Sequence, residues 1–258
     1  MLRALRTAAL GMKAQQASVD NTAHNLANAN TTGFKRASVV FQDLLYQTVQ
    51  AGGEGEGRPA AMQMGLGAAL VATARAHQQG SLTQTGAALD LAISGDGFFQ
   101  VARPDGTVAY TRDGTFTLDA EGRVVTQSGF ALEPGLEIPP GTLEIQIAAD
   151  GVVRVRVPGT TDPVEVGQLE LARFVNPGGL RAAGGNLFEQ TEASGEPTIA
   201  PPGEDGLGLV RQGFVEASNV DVVQEMVDLI TAQRAYEMNS KMVTTAEEMM
   251  QIANNIKR

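Results

Sequence analysis

The first thirty residues carry apolar or small side chains at alternating steps of three and four. The repeat runs through Leu2, Leu5, Ala9, Met12, Gln16, Val19, Ala23 and Leu26, and only Gln16 is polar. This spacing puts one face of an α-helix against a partner, as in the seam of a coiled coil. The sequence therefore predicts a helix over about residues 2–28, about 40 Å long. It should end at Asn28–Gly33, where the residues favour turns.

The C-terminal end repeats this kind of pattern. No proline follows Pro202, no glycine follows Gly213, and Ser218–Asp221 has the Ser-x-x-acid spacing of a helix capping box. The apolar stripe runs through Val223, Met226, Val227 and Ile230 and continues through Ala235, Asn239, Met242, Ala246, Met249, Ala253 and Ile256. We expect a helix from about residue 218, about 60 Å long if unbroken. Its alanines and methionines suit close, adaptable contacts with neighbouring helices.

Between these ends, turn-forming pairs such as Asp-Gly and Pro-Gly separate short runs of β-prone residues. The clearest runs are 98–101, 115–118, 143–147, 152–157 and 168–174. In 143–147 the pattern alternates, so that Leu143, Ile145 and Ile147 can face a core while Glu144 and Gln146 face water. We expect residues 89–175, with flanking sequence, to form an antiparallel β domain.

Together these elements predict an α+β fold. Long N- and C-terminal helices should pair as a coiled-coil-like bundle, with a mainly antiparallel β domain inserted between them. We expect a terminal helical domain from residues 1–36 and 214–258, a connecting segment over 37–88 and a β-rich outer domain over 89–213. Within the connecting segment, residues 49–65 are rich in glycine and lack helical periodicity. Alone they should form a flexible loop that orders only when neighbouring surfaces hold it.

Composition narrows the possible functions. The 258 residues include no cysteine and two histidines, and the net charge is −10. Scarce metal ligands argue against a metal centre or cofactor, and the negative charge argues against nucleic acid as a partner. The sequence contains no nucleophile elbow, HExxH motif or phosphate loop, and Gly65–Leu70 lacks the third glycine of a dinucleotide fingerprint. We therefore expect no enzymatic activity, no cofactor and no small-molecule substrate.

Charge is unevenly distributed along the chain. Five basic residues against Asp20 give residues 1–36 a net charge of +4. A basic first helix could meet acidic surfaces of other copies, form a solvated face or bind a membrane surface. No apolar run approaches the length of a membrane-spanning helix, and Ala8–Met12 is too short for the core of a signal peptide.

The two apolar stripes differ in predicted length. If the C-terminal helix is unbroken, about 20 Å of its stripe extends past the N-terminal helix and has no cover within the chain. Other copies could cover it, and a head-to-tail contact that does not close generates a helical filament. Intrachain core packing is the alternative for the same residues. The candidates for axial helix packing and self-assembly are Leu2, Leu5, Met12, Val19, Leu26, Val223, Met226, Ile230, Met242 and Met249.

Three motifs carry a resemblance to a known family. They are Ala23–Lys35, then Gly95–Phe99 with Tyr110–Phe116, and finally Gln212–Asp221 followed by Ile230–Lys241. In this order they resemble bacterial flagellar rod and hook proteins. Phe41–Thr48 and the chain length make the sequence most similar to the distal-rod members. The residues matching the family motifs are Asn25, Leu26, Asn28, Asn30, Gly33, Phe34, Ser218, Asn219, Val220, Gln233, Arg234 and Tyr236.

Some of these residues have expected roles. The four asparagines, Asn25, Asn28, Asn30 and Asn219, are predicted to form turns or helix caps, with contacts between subunits as the alternative. Gln233, Arg234 and Tyr236 are candidates for bridging adjacent helices, and a solvated helix face is the alternative for Arg234.

The resemblance also implies a structural function. Such proteins form a hollow tube that transmits torque from motor to hook, with terminal helices as its inner wall. The implied partners are copies of the chain, proximal rod proteins, the hook protein and surrounding ring proteins. The implied location is the basal body in the periplasm, reached by flagellar type III export without a cleaved signal peptide. The alternatives are another flagellar axial protein, of proximal-rod or hook type, or a membrane-surface-binding protein.

Overall fold

The computed structural model describes residues 2–50, 62–159 and 162–256, with side chains over 5–47, 64–159, 162–252 and 254–255. The chain packs as two compact units. The first unit comprises the described residues of Met1–Ala27, Ala37–Arg75 and Asp221–Arg258. The second comprises Asn28–Arg36 and the described residues of Ala76–Val220.

The first unit contains the two long helices. Helix α1 covers Leu2–Ala27, which confirms the predicted helix to within one residue at its end, and α2 covers Val222–Ile256. Helix α2 begins later than expected because Asp221, rather than Ser218, caps it. The Asp221 Oδ1 atom accepts hydrogen bonds from the backbone N–H groups of Val223 at 2.9 Å and Gln224 at 3.2 Å.

The helices pair antiparallel. Near the middle of α1, an added Cβ at Gly11 would lie 3.0 Å from Asn239 Nδ2, and near its end Asn25 contacts Glu225. The two contacts occur in opposite order along the helices. With 26 residues in α1 and 35 in α2, the lengths differ by about 14 Å, which is less than the 20 Å we predicted. The later start of α2 accounts for most of that difference.

Two antiparallel ribbons complete the first unit. Strand β1 (Ala37–Asp43) pairs with β4 (Ala68–Arg75), and β2 (Tyr46–Gln50) pairs with β3 (Met62–Gly65). The first ribbon lies against α1, since an added Cβ at Gly67 would lie 3.3 Å from Leu10 Cδ1. The expected loop over 49–65 is therefore strand at both its ends. Residues 51–61, including the glycine-rich part, lie outside the described residues.

The second unit is the β domain. Its strands are β5 (Leu82–Gln84), β6 (Leu91–Ser94), β7 (Phe98–Ala102), β8 (Val108–Thr111), β9 (Phe116–Leu118), β10 (Val124–Thr126), β11 (Ala131–Glu133), β12 (Glu144–Ile147), β13 (Val152–Arg156), β14 (Val164–Gln168), β15 (Leu171–Arg173), β16 (Arg181–Gly184), β17 (Leu187–Glu189), β18 (Thr198–Ala200), β19 (Leu209–Gln212) and β20 (Phe214–Glu216). All named pairings are antiparallel, which confirms the α+β fold class.

A nine-stranded sheet forms the centre of this unit. Its path is β16-β17-β8-β7-β11-β10-β9, and β15 joins it by pairing with both β7 and β18. Strands β12-β13-β14 form a separate sheet, and two further pairs are β19 with β6 and β20 with β5. The core lies between these elements and includes Phe99 and Phe116, whose rings meet edge to face at 5.2 Å.

One predicted inward residue of the β domain faces water. Ile145 and Ile147 pack against the core, whereas Leu143 is 69% exposed. Strand β12 begins only at Glu144, so the alternation of the strand does not extend to Leu143. No helix in the described part of the chain combines the length and hydrophobicity of a membrane span.

The two units do not follow the predicted domain boundaries. We expected residues 1–36 to join the terminal helices, but Asn28–Arg36 packs with the β domain. Thr32 explains part of this, because its Oγ1 donates to Asp113 Oδ1 at 2.9 Å. Residues 214–220 also belong to the β unit, since Phe214–Glu216 forms β20. Conversely, the described residues of Ala37–Arg75 pack with the helices rather than forming a separate connection.

Candidate assembly surface

The outer face of α2 carries an uncovered apolar stripe within the first unit. We call it the outer stripe; its members are Val223, Met226, Val227, Ile230, Met238, Met242, Met249 and Ile252. Exposure reaches 72% at Val223 and 58% at Met242. The stripe follows the helix for about 44 Å. Large exposed apolar patches of this kind mark interaction sites rather than ordinary solvated surface.

The predicted seam of α2 divides between two faces. Asn239 lies against α1 and Ala246 is buried, while Met242 and Met249 belong to the outer stripe. At Gly11, which has no side chain, the Asn239 side chain lies against α1, whereas the large apolar side chains of the outer stripe are exposed. The five α2 candidates for axial packing are all exposed in the single chain. Their burial between copies remains a prediction.

The α1 candidates are less exposed than those of α2. Leu5, Met12, Val19 and Leu26 are half-buried, whereas Ala8, Ala14 and Thr22 are fully buried. The side chain of Leu2 lies outside the described residues. Periodicity alone did not identify Ala8 and Ala14, because a helix sequence with many alanines offers several competing stripes.

A groove runs between α1 and α2. It has a volume of about 510 Å³ and is lined by Gln16 and Val19 of α1 and by Gln233, Tyr236 and Glu237 of α2. Two family-motif residues, Gln233 and Tyr236, thus lie side by side in an open groove, and Arg234 is exposed. This arrangement is compatible with contacts to a neighbouring helix, which the sequence predicted for these residues.

Asn25 does not cap a helix; it is buried, and its side chain forms hydrogen bonds to other elements of the unit. Its Nδ2 donates to the Ala37 carbonyl oxygen at 2.8 Å, and its Oδ1 accepts from the Ala37 N–H at 3.0 Å. The same Nδ2 lies 3.2 Å from Glu225 Oε2 in the first turn of α2. One amide side chain therefore connects α1, β1 and α2. Asn21 adds a second bond to the Ala37 carbonyl oxygen at 2.8 Å.

Asn219 also connects separate segments of the chain through side-chain hydrogen bonds, in the second unit. Its Oδ1 accepts from the Arg36 N–H at 2.7 Å, and its Nδ2 donates to the carbonyl oxygens of Ala76 at 2.8 Å and Gln78 at 3.0 Å. It therefore joins the segment after α1 to the segment before α2, and it does not cap a helix. Its neighbours Ser218 and Val220 are half-buried, and Ser218 Oγ accepts from the Val220 N–H at 3.3 Å.

The turn after α1 matches the expectation for Asn28. The Asn28 carbonyl oxygen accepts from the Thr31 N–H at 3.1 Å, and Asn28 Oδ1 accepts from Thr31 Oγ1 at 3.2 Å. Asn30 is exposed in the same turn. Gly33 then adopts a positive φ of 67°, where an added Cβ would lie 2.5 Å from the Asp113 nitrogen. The following Phe34 is buried.

Three buried charges lie where this turn meets the β domain. We call Lys35, Arg112 and Glu216 the ionic cluster; each is at most 4% exposed. Lys35 Nζ donates to Glu216 Oε1 at 2.5 Å, and Arg112 Nη1 donates to Glu216 Oε2 at 3.3 Å. The Gly80 N–H donates to Glu216 Oε1 at 2.9 Å.

Further contacts surround the two cations, although the buried Arg112 Nε has no hydrogen-bond partner among the described residues. Lys35 Nζ also donates to the Gln78 carbonyl oxygen at 2.8 Å, and Arg112 Nη2 donates to the Gly95 carbonyl oxygen at 2.8 Å. The Arg112 guanidinium lies over the Phe98 ring at 5.3 Å. Burial lowers the pKa of both Lys35 and Arg112, while the Glu216 carboxylate raises the pKa of each by favouring its charged form.

Sequence reasoning missed the ionic cluster. Lys35 was counted with the basic residues of the first helix segment, yet its charge is buried against a carboxylate. A signal was present, because Lys35, Arg112 and Glu216 each lie inside one of the three motifs. One residue from each of three motifs far apart in the sequence therefore contributes to a single buried cluster in the β unit.

Comparisons with known proteins match the chain along most of its length. Residues 5–35 match the family described as flagella basal body rod protein, residues 92–155 the flagellar hook protein FlgE/F/G D1 domain, and residues 211–256 the flagellar basal body rod FlgEFG protein C-terminal family. The first and third matches contain α1 and α2, and the second lies in the β domain.

Full-length relatives carry the same description. The chain is 47% identical to the flagellar basal-body rod protein FlgG of Borreliella burgdorferi, with 100% of both chains covered. It is 47% identical to FlgG of Buchnera aphidicola subsp. Baizongia pistaciae, covering 97% of this chain and 98% of the relative. It is also 47% identical to FlgG of Caulobacter vibrioides, covering 99% and 100%.

Proposed function

We propose a role for this chain, which belongs to the flagellar basal-body rod protein family and is a structural subunit of the distal rod. It assembles with copies of itself into a hollow helical tube, and this tube transmits torque from motor to hook. Membership places it in the basal body of the flagellum and implies association with other rod and hook components. The family is a structural one.

The outer stripe carries this proposal. A stripe of this length on one long helix is costly to leave in water, because burying one Met, Ile or Val side chain fully contributes about 1.5–3 kcal/mol. The helix pair leaves it uncovered, so its burial must come from outside the first unit. A second copy offers the same stripe and the same groove, and a head-to-tail contact repeated without closure builds a helical tube.

The surroundings of the tube follow from the family. We propose that the subunit contacts proximal rod proteins at one end of the distal rod, the hook protein at the other and ring proteins around it. The location would be the periplasm, reached by type III export without a cleaved signal peptide. The lack of cysteine agrees with a chain whose fold needs no disulfide.

The proposal is tested by placing a charge in the outer stripe. Met242→Asp should abolish tube formation in negative-stain electron microscopy, because an unpaired carboxylate would be buried between copies. Thermal melting of the β unit, followed by hydrogen–deuterium exchange of the strand amides in β7 and β8, should not change.

Gln251→Asp is the matched control. It introduces the same charge at an exposed polar position of α2, on the side opposite Met242. Tubes should persist with this variant. The proposal fails if Met242→Asp assembles as well as Gln251→Asp, or if the unmodified chain stays monomeric under all polymerising conditions.

A further inference from the structure

We propose that two contacts between α1 and α2 fix the longitudinal register of the helix pair, and so determine how far along α1 the outer stripe is presented to the next copy. The contacts are Asn25 with Glu225 and Gly11 with Asn239. This inference rests on the proposed self-assembly, because register matters only if a neighbouring copy must recognise the pair as one surface.

The rest of the helix interface specifies register weakly. Within the described parts of the two helices, the fully buried apolar residues are all alanines: Ala8 and Ala14 on α1, and Ala232 and Ala246 on α2. Small side chains repeated at steps of three and four leave similar surfaces after a slip of seven residues. Such a slip moves one helix by about 10 Å along the other. The outer stripe would move by the same distance relative to α1.

Asn25 and Glu225 oppose a slip because moving one helix would break the hydrogen bond between them. Both side chains are at most 1% exposed, and the Asn25 amide lies 3.2 Å from the Glu225 carboxylate. Ala37 holds the same amide in place through both of its backbone polar groups. A slip of seven residues would set Asn25 beside Ala232 or before the start of α2. Either change would remove one partner of a buried polar pair, which is costly.

Gly11 and Asn239 oppose a slip through steric fit. An added Cβ at Gly11 would lie 3.0 Å from Asn239 Nδ2 and 3.3 Å from its Cγ, which is tighter than ordinary contact. A Cβ at this position of α1 would therefore require the Asn239 side chain to shift by a few tenths of an ångström. After a slip of seven residues it would face position 4 or 18, where Ala4 and Ser18 both carry a Cβ.

The two contacts agree with each other. Gly11 and Asn25 are fourteen residues apart on α1, as are Glu225 and Asn239 on α2. They therefore define the same offset at two points, two heptads apart. A single polar residue in an otherwise apolar seam is known to select register in coiled coils at some loss of stability. Here one polar and one steric contact restrict the same slip.

The absence of cysteine allows a direct test. Lys13→Cys and Gln251→Cys place spin labels at two exposed positions, one on each helix, about 21 Å apart along the helix axis, so that a slip in either direction changes the distance between them. The inter-label distance is measured by pulsed electron paramagnetic resonance, in tubes diluted with unlabelled chain. The parent protein should give one narrow distance. Asn25→Leu with Glu225→Leu, which replaces both polar partners, should keep the helices but add a population shifted by about 10 Å along the axis.

Asn21→Leu is the matched control. Asn21 lies one turn earlier on α1 and donates to the same Ala37 carbonyl oxygen, and it makes no hydrogen bond to the described residues of α2. It should keep the single parental distance. Gly11→Ala is the second variant, in case the double variant does not fold: it should reduce the parental population, and adding Asn239→Ala should restore space at that contact.

The outcomes separate the two proposals. A single parental distance in both the Leu double variant and Gly11→Ala would overturn the register inference, even if tubes form normally. If the unmodified chain forms no tubes, the self-assembly proposal fails. The distances are then measured on the unassembled chain, where the same shift with the same control would still support the register inference.

Discussion

The two units of this protein differ in how they bury apolar side chains. The β unit encloses its own core, in which Phe99 and Leu171 have no exposed surface. Among the described residues of the two helices, the fully buried apolar ones are alanines, and the larger apolar side chains of the outer stripe are exposed. The β unit therefore has its own source of stability within one chain, whereas we propose that the helix unit gains stability from contacts with other copies.

The two units also differ in how they bury charge: in the helix unit the buried Glu225 contacts the neutral amide of Asn25 rather than a cation. The β unit contains the ionic cluster, in which one carboxylate serves two buried cations. The exposed residues of α2 instead include acidic and basic side chains beside methionines. A domain with buried, paired charges tolerates little rearrangement, because each group depends on the others. The helix surface has no such requirement and can adapt to its neighbours.

The largest expected loss in the free energy of unfolding comes from replacing Glu216 in the β unit. Glu216→Gln removes the charge that Lys35 and Arg112 share, and leaving buried cations uncompensated typically costs about 3–5 kcal/mol. We expect the free energy of unfolding of the β unit, measured by chemical denaturation, to fall by that amount.

Glu144→Gln provides the control for Glu216. Glu144 pairs with Arg156 at 3.3 Å, but both side chains are about half exposed, so the loss should be at most about 1 kcal/mol. Equal losses in the two variants would show that the ionic cluster contributes no more than a surface pair.

A smaller effect should follow from Gly33→Ala. Its positive φ and the 2.5 Å approach of an added Cβ to the Asp113 nitrogen both oppose alanine, and together we expect a loss of about 2–4 kcal/mol in the β unit. Gly129→Ala has the matching positive φ of 84° but nothing within 4 Å, so it should lose only about 1–2 kcal/mol. If both variants melt alike, the turn is not closely docked.

The smallest expected effect is a concentration dependence of melting, which should differ between the helix unit and the β unit and needs no mutation. If copies cover the outer stripe, helix melting should depend on protein concentration, shifting by about 1.4 kcal/mol for each tenfold change. Melting of the β unit should not shift. Far-ultraviolet dichroism at 222 nm follows the helices, and hydrogen–deuterium exchange of the strand amides in β7 and β8 follows the β unit. Parallel shifts of the two signals would contradict the prediction that contacts between copies stabilise the helix unit alone.

The elements were largely predictable because they depend on local pattern. Steps of three and four located α1 to within one residue, and Gly-containing turns separated the β strands. The errors arose where distant residues compete for one role. Asp221 rather than Ser218 caps α2, and Leu143 falls outside its strand. Neither outcome can be read from a short window, because the choice depends on what the rest of the fold already satisfies.

The candidate site was predictable in part. Periodicity identified apolar residues on α2, but it could not separate those facing α1 from those facing outward, since alanine and methionine both fit an apolar stripe. The contact of Asn239 with Gly11 shows which face of α2 lies against α1, and it joins residues far apart in the sequence.

The sequence alone determined the two helices, the β domain between them and the family that their motifs resemble, since periodicity, turn residues and short motifs are local properties of a chain. Only the tertiary structure decided that Lys35, Arg112 and Glu216 share one buried site, that Asn25 and Asn219 tie segments together rather than cap helices, and which side of α2 stays uncovered. These features depend on pairs of residues far apart in sequence. Their partners are fixed by packing, which no local pattern specifies.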